Sequence, residues 1–163
     1  MGAAKYHLKR ADKEIADRSA LCELLKRGEY AVIALCRGDE PYIVTLSYGY
    51  DSKRHALYFH CAPKGLKTDF IAANPEVCAT IIGGPGIASR SCSHSFTSVV
   101  LRGKMSAVAD PAEKRSAMGL LIKQLEDEPD VQLAKLSRYD DRQWGGLTVL
   151  RLDITEITGK KIK

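Results

Sequence analysis

Cys92, Ser93 and His94 place a thiol, a hydroxyl and an imidazole in direct succession, the densest run of reactive groups in this 163-residue chain. They offer a nucleophile and a base, or two metal ligands. Adjacent side chains on an extended strand point to opposite faces, so the segment reads as an ordinary loop in preference to a catalytic pair. Two ligands without distant help do not make a metal site, and none is expected. Gly83-Gly84-Pro85-Gly86 lacks the G-x-G-x-x-G spacing that cradles a pyrophosphate, and reads as a turn. Gly103-Lys104 has neither the upstream glycine nor the following Ser or Thr of a P-loop, and no G-x-S-x-G elbow occurs. Asp140-Asp141 sits in polar sequence and reads as a solvated face. The five cysteines (Cys22, Cys36, Cys61, Cys78 and Cys92) are odd in number and lack any C-x-x-C spacing. They fit neither a disulfide framework nor a zinc ribbon, and are read as reduced thiols in apolar strands.

The elements that must position any site follow from periodicity. Residues 1–16 are polar and aperiodic, an N-terminal arm; 17–163 are expected to form one domain. Asp17 or Ser19 caps a short helix carrying Leu21, Leu24 and Leu25, which stops at Gly28. Glu29–Arg37, Tyr42–Tyr50 and Ala56–Cys61 are rich in strand formers and joined by short turns, which predicts an antiparallel meander. Lys64–Asn74 reads as a helix ended by Asn74-Pro75, and Val77–Ile82 as a fourth strand followed by a loop to about Ser93. Phe96–Val108 is a long strand with a kink at Gly103. Asp110-Pro111-Ala112-Glu113 opens a helix bearing Met118, Leu121, Ile122 and Leu125. Residues 129–146 give no clear pattern. Leu147–Ile157 alternates as a last strand. Six strands with short connections and interleaved helices favour an antiparallel β-barrel over a doubly wound parallel sheet.

Composition sets the class. The chain has 45% apolar and 28% charged residues, ordinary for a soluble globular protein. Its apolar runs are too short to span a bilayer, the N-terminus lacks the apolar core of a signal peptide, and a cytoplasmic setting is expected. The net charge of +5 gathers at the two ends, around Lys5, Lys9, Arg10 and Lys13 and in Lys160-Lys161-Ile162-Lys163. Solvated termini account for that better than a nucleic-acid footprint, which needs a basic stripe with interleaved aromatics. Neither nucleic acid nor a membrane is an expected partner. Trp144, the only tryptophan, is expected as an anchor in the core or at a subunit interface.

One stretch is more specific. Pro41–Cys78 reads PYIVTLSYGYDSKRHALYFHCAPKGLKTDFIAANPEVC. It holds a strand P-Y-x-V, a second strand ending Tyr58-Phe59-His60, a small-residue loop with Gly65-x-Lys67, and a closing Asn74-Pro75-x-Val77-Cys78. This order resembles the FMN-binding split barrel of the pyridoxamine 5′-phosphate oxidase superfamily, and within it the nitroimidazole-reductase (Nim-type) branch. Phe96-x-Ser98-Val99 with Gly103-Lys104, and Ile157-Thr158-Gly159-Lys160, are similar to later family motifs, so the likeness spans about Ser19 to Lys160. Thr45 departs from the Pro of many members.

The resemblance implies a six-stranded, Greek-key-like antiparallel split barrel. It also implies a homodimer with two FMN sites at its interface, each lined by both subunits. Lys67 is expected to hold the phosphate, with Lys64 and Lys53 nearby. A lysine at a helix start offers a cation and a positive dipole end together. Val44, Thr45 and Leu46 are expected along the isoalloxazine through their backbone, Tyr58, Phe59 and His60 near the phosphate and ring, and Ser98 against the flavin. His60 is the one candidate for catalysis, by orienting a substrate or donating a proton; holding a backbone carbonyl is its equal alternative. The implied activity is electron transfer from a reduced nicotinamide, NAD(P)H, through FMN to a small electrophilic acceptor such as a nitroaromatic. Pyridoxamine phosphate oxidation itself is not implied, because the R-L-x-P ending is missing. Two alternatives share the barrel: a flavin- or haem-binding module with His60 or His94 as ligand, and a deazaflavin-dependent reductase.

Overall fold

Asp17 starts the first α-helix, its carboxylate accepting the Ser19 N–H at 2.9 Å. The computed structural model describes residues 9–87 and 94–162, apart from the side chains of 84–87, 94 and 95. Helix α1 (Arg18–Arg27) ends at Gly28 and buries Leu21 and Leu25 over one end of the barrel. Three strands follow: β1 (Tyr30–Arg37), β2 (Glu40–Asp51) and β3 (Ala56–Cys61). They pair in succession as an antiparallel meander. The Asp51 carboxylate accepts from the N–H of Lys53 and of Arg54, which fixes the turn between β2 and β3. Helix α2 (Leu66–Ala73) leads into β4 (Glu76–Ile87), β5 (His94–Ala107), α3 (Pro111–Leu125), α4 (Pro129–Leu136), α5 (Asp141–Gly145) and β6 (Thr148–Ile162).

Among the described residues the six strands close in the order β1-β2-β3-β6-β5-β4, every pairing antiparallel. The expected barrel is therefore the observed one. Its interior is filled by alternate residues of the strands, among them Ile33, Leu35, Tyr48, Leu57, Phe59, Leu101 and Leu152, with Phe70 from α2. The β5–β6 register shifts between Arg102 and Gly103, where a kink was expected.

Three segments differ from expectation. β4 does not stop at Ile82: it pairs with β5 through Ile87, with the register slipping between Gly83 and Gly86. A glycine-rich run read as a turn is a bulge in a long strand, which absorbs the slip without leaving the ladder. Residues 129–146 hold two short helices. Pro129 opens α4, and Asp140 and Gln143 form a reciprocal capping box on α5. Lys160 and Lys161 belong to β6, not to a frayed end: they pair with Ser98 and Thr97, and the Ile15 N–H donates to Gly159 O at 2.9 Å. Residues 88–93, with Cys92, lie outside the described residues.

Helix α3 lies on the outer face of β2 and β3 and forms a second apolar cluster there, with Ala117 over Ala56, Tyr58, Val108 and Val149. Polar clamps hold it at both ends. Gln124 donates to Leu25 O at 3.1 Å and Gly28 O at 2.6 Å while accepting the Tyr50 N–H at 2.9 Å, so one side chain ties α3 to α1 and β2. At the other end Glu113 Oε1 accepts from Tyr58 Oη at 2.7 Å, Arg151 at 2.7 Å and Arg54 at 3.1 Å. Burial works to raise the Glu113 pKa, but the bonds from Arg151 and Tyr58 outweigh it and hold the carboxyl below its ordinary range. Glu113→Ala strands the hydroxyl of Tyr58, a residue only 2% exposed. The expected loss is about 1–3 kcal/mol in urea denaturation, the cost of an unpaired buried polar group. A midpoint equal to wild type would show that the clamp contributes nothing.

Candidate functional site

Alternation along β2 sorts its side chains. Tyr42, Val44, Leu46 and Tyr48 turn inward, while Ile43, Thr45 and Ser47 stand on the outer face. Tyr48 pairs with Phe59, and Ser47 and His60, the next residue beyond each, lie on the outer face. Opposite them runs the C-terminal half of α3. The result is a cleft of about 390 Å³ lined by Thr45, Leu46, Ser47 and His60 on the sheet side. Met118, Leu121, Ile122, Leu125 and Glu126 line the helix side. One wall is hydroxyls, an imidazole and strand backbone; the other is almost wholly apolar.

The helix comes this close because position 49 is glycine. A Cβ there would stand 2.7 Å from Leu121 N and 2.9 Å from Leu120 C, both α3 backbone atoms.

Beyond His60 the chain runs through Cys61 and an exposed loop with Lys64 into α2. Gly65 precedes that helix at φ +148° and ψ 175°, a conformation open essentially only to glycine. Among the described residues no side chain caps the helix, which leaves its first N–H groups without a side-chain acceptor. Lys67, half-buried in the first turn, forms no ion pair among the described residues. The donor set suits a phosphate monoester: free amides, the positive end of a helix and a lysine. The cleft beside it suits a flat conjugated ring with a hydroxylated chain. On these grounds the residues present fit FMN.

His60 carries the electrostatic mark of this setting. Partial enclosure, and then the Lys67 ammonium, hold its imidazole below the ordinary range, so it is neutral at neutral pH. Burial, and then Arg18, act on His55 in the same sense. A depressed histidine pKa in the folded state means that the unfolded chain takes up protons first. That contribution to stability is whole above the ordinary imidazole pKa of about 6.5 and is lost as the pH falls through the folded-state value. Lys67→Ala is expected to raise the His60 pKa in an NMR titration of the ring. A His60 that titrates at the same pH in both proteins would contradict the pairing.

The structure brings together Thr45, the Leu46 backbone and His60, with Lys67 near His60. Lys64 lies on the loop before α2, and Lys53 in the β2–β3 turn at the far end of β3. Val44 packs inward against the core, and Phe59 is wholly buried inside the barrel against Tyr48. Tyr58 is beneath α3 and bonded to Glu113; burial, and then that bond, push its hydroxyl up to about 12. Neither aromatic side chain reaches the cleft. Ser98 stands on the outer face of β5, paired with Ile82 of β4, three strands round the barrel from Ser47 of β2. At about 4.8 Å per strand that is at least about 14 Å round the barrel. The side chain of His94 lies outside the described residues. Trp144 is buried against Tyr139 and under the Arg115 guanidinium, remote from the cleft.

Sequence reasoning passed over Ser47 and the α3 wall. The signal for Ser47 is parity with Thr45. For α3 it is an apolar stripe, Met118 to Leu125, wider than one sheet contact needs.

The family model described as pyridoxamine 5′-phosphate oxidase matches residues 17–161. Among solved structures, the chain is similar to a protein of Bacteroides thetaiotaomicron provisionally described as a 5-nitroimidazole antibiotic resistance protein. That likeness has a TM-score of 0.73 and 24% identity, covering 90% of this chain and 85% of that one. It is also similar to the flavocytochrome Anf3 of Azotobacter vinelandii, with a TM-score of 0.81 and 17% identity over 99% of this chain and 75% of that one. Among curated proteins, an uncharacterized protein of Rhizobium meliloti, RA0666, is 35% identical over 77 residues, which is 47% of this chain and 45% of that relative's length.

Proposed function

Because this chain belongs to the pyridoxamine 5′-phosphate oxidase family, we propose that it binds FMN in the α3–β2 cleft and works as an oxidoreductase. When bound there, FMN would carry two electrons from a reduced nicotinamide to a small electrophilic acceptor such as a nitroaromatic. The observation that carries this reading is the meeting, at one end of β3, of an uncapped helix start bearing Lys67 with a cleft apolar on one wall and hydroxylated on the other.

The residues have separable tasks. Lys67 and the α2 amides hold the phosphate. Thr45 and Ser47 offer hydroxyls to the ribityl chain, and the β2 backbone lies along the ring edge. Met118, Ile122 and Leu125 cover the ring and keep water from it. His60, neutral and in the cleft, orients an acceptor by hydrogen bonding; its lowered pKa leaves little imidazolium to give a proton. No nucleophile is required, which agrees with a sequence that lacks nucleophile motifs.

A second copy of the chain completes the site. Tyr30, Ile43, Ile82 and Val100 expose 54%, 65%, 66% and 36% of their surface on the outer face, continuous with Thr45 and Ser47. A homodimer buries that face and lets the partner add side chains to the cleft that one chain lacks, Ser98 among the candidates. Among the described residues no helix is long and apolar enough to cross a membrane. A cytoplasmic setting would supply reduced nicotinamide and keep the thiols of Cys22, Cys36, Cys61 and Cys78 free.

The test is oxidation of NADH or NADPH by FMN-loaded protein with a nitroaromatic acceptor. Turnover above that of the same concentration of free FMN supports the reading. A rate equal to free FMN, with flavin retained, would leave a binding protein and remove the enzyme.

A further inference from the structure

We infer that Glu126 selects the acceptor by charge, favouring cationic and neutral aromatic compounds over anionic ones. The inference rests on the proposed flavin site. Glu126 is the one charged residue on the α3 wall of the cleft and stands at the C-terminal cap of that 15-residue helix. The unpaired carbonyls of a helix C-terminus are the negative end of its dipole, so carboxylate and dipole add. Asp127 and Glu128 follow directly, and Lys123 is the one nearby cation on the helix. Glu126 is exposed and forms no ion pair among the described residues.

Lys67 acts on His60 from beyond the cleft lining, whereas Glu126 is itself part of that lining, on the α3 wall. With His60 neutral, nothing among the described lining residues offsets Glu126. Once the phosphate is held at Lys67, an acceptor entering the cleft meets the carboxylate. An acceptor bearing its own carboxylate is repelled, and one bearing an ammonium is drawn in.

The experiment uses FMN-loaded protein and three ligands of like size: para-nitrobenzylammonium, para-nitrobenzyl alcohol and para-nitrobenzoate. Dissociation constants are read from perturbation of the flavin absorbance, which requires no turnover, with flavin content measured in each variant. At low ionic strength the ammonium should bind tightest and the benzoate weakest, each step about threefold to tenfold for an exposed charge at close range. Glu126→Gln should narrow the spread and Glu126→Lys should invert it, and added salt should shrink both. A flavin-loaded Glu126→Lys protein that keeps the wild-type order overturns the inference alone. A protein that holds no flavin overturns the cofactor reading, and the inference with it.

Discussion

Lys67→Ala should weaken FMN binding about 10- to 100-fold, the equivalent of about 1.5–3 kcal/mol for a hydrogen bond to a charged group. A phosphate monoester carries nearly two negative charges. The α2 amides that remain would still bind it, but without the cation that faces them. Riboflavin supplies the internal control. It has the same ring and ribityl chain without the phosphate, so its affinity should be the same in wild type and variant. The measurement is a fluorescence titration of both flavins into both proteins. Equal losses for FMN and riboflavin would mean that the substitution distorts the cleft, and no loss for either would place the phosphate elsewhere. Folding is not at issue, because Lys67 makes no ion pair among the described residues and Phe70 and Ile71 anchor the helix.

Gly49→Ala should be the more damaging change, although it adds one methyl group. The new Cβ would press on α3 backbone atoms at Leu120 and Leu121, which cannot turn aside as a side chain tip can. Helix α3 would have to withdraw from β2. The adjacent bond from Tyr50 N–H to Gln124 would stretch, and with it the tie between α3 and α1. Overpacking of this kind costs about 1–3 kcal/mol. Loss of the Gln124 bonds brings the expected destabilisation to the upper part of that range. Because Leu121 and Ile122 line the cleft, flavin retention should fall as well. Denaturation and flavin content measured on one preparation check both effects. Wild-type stability in the variant would show that α3 is not seated as described.

Much of the fold was legible. β1 to β3 are rich in strand formers and separated by turn residues, so β3 is found at its expected bounds, Ala56–Cys61. α3 announced itself through Asp110, Pro111 and Glu113. Its cap is as expected, with the Asp110 carboxylate accepting from Ala112 and Glu113. The misread places share a cause. Gly83–Gly86 and Lys160–Lys161 carry local signals for a turn and a frayed end, but long-range pairing with β5 overrides both. The site was legible in part. His60 and Lys67 come from a contiguous motif and are found near one another. Tyr58 and Phe59 belong to the same motif, but alternation turns one under α3 and the other into the barrel. The opposite wall of the cleft comes from a helix some 60 residues further on, and no local signal in β2 or β3 predicts which helix will cover them.

The most direct test is the visible spectrum of the purified protein, recorded again after FMN is added and the excess removed by gel filtration, for wild type and Lys67→Ala side by side. Binding in the α3–β2 cleft predicts retained flavin bands in the wild type and their loss or marked reduction in Lys67→Ala. A Soret band in place of flavin would turn attention to His60 as a haem ligand. A wild-type protein that leaves the column colourless would contradict the FMN site outright.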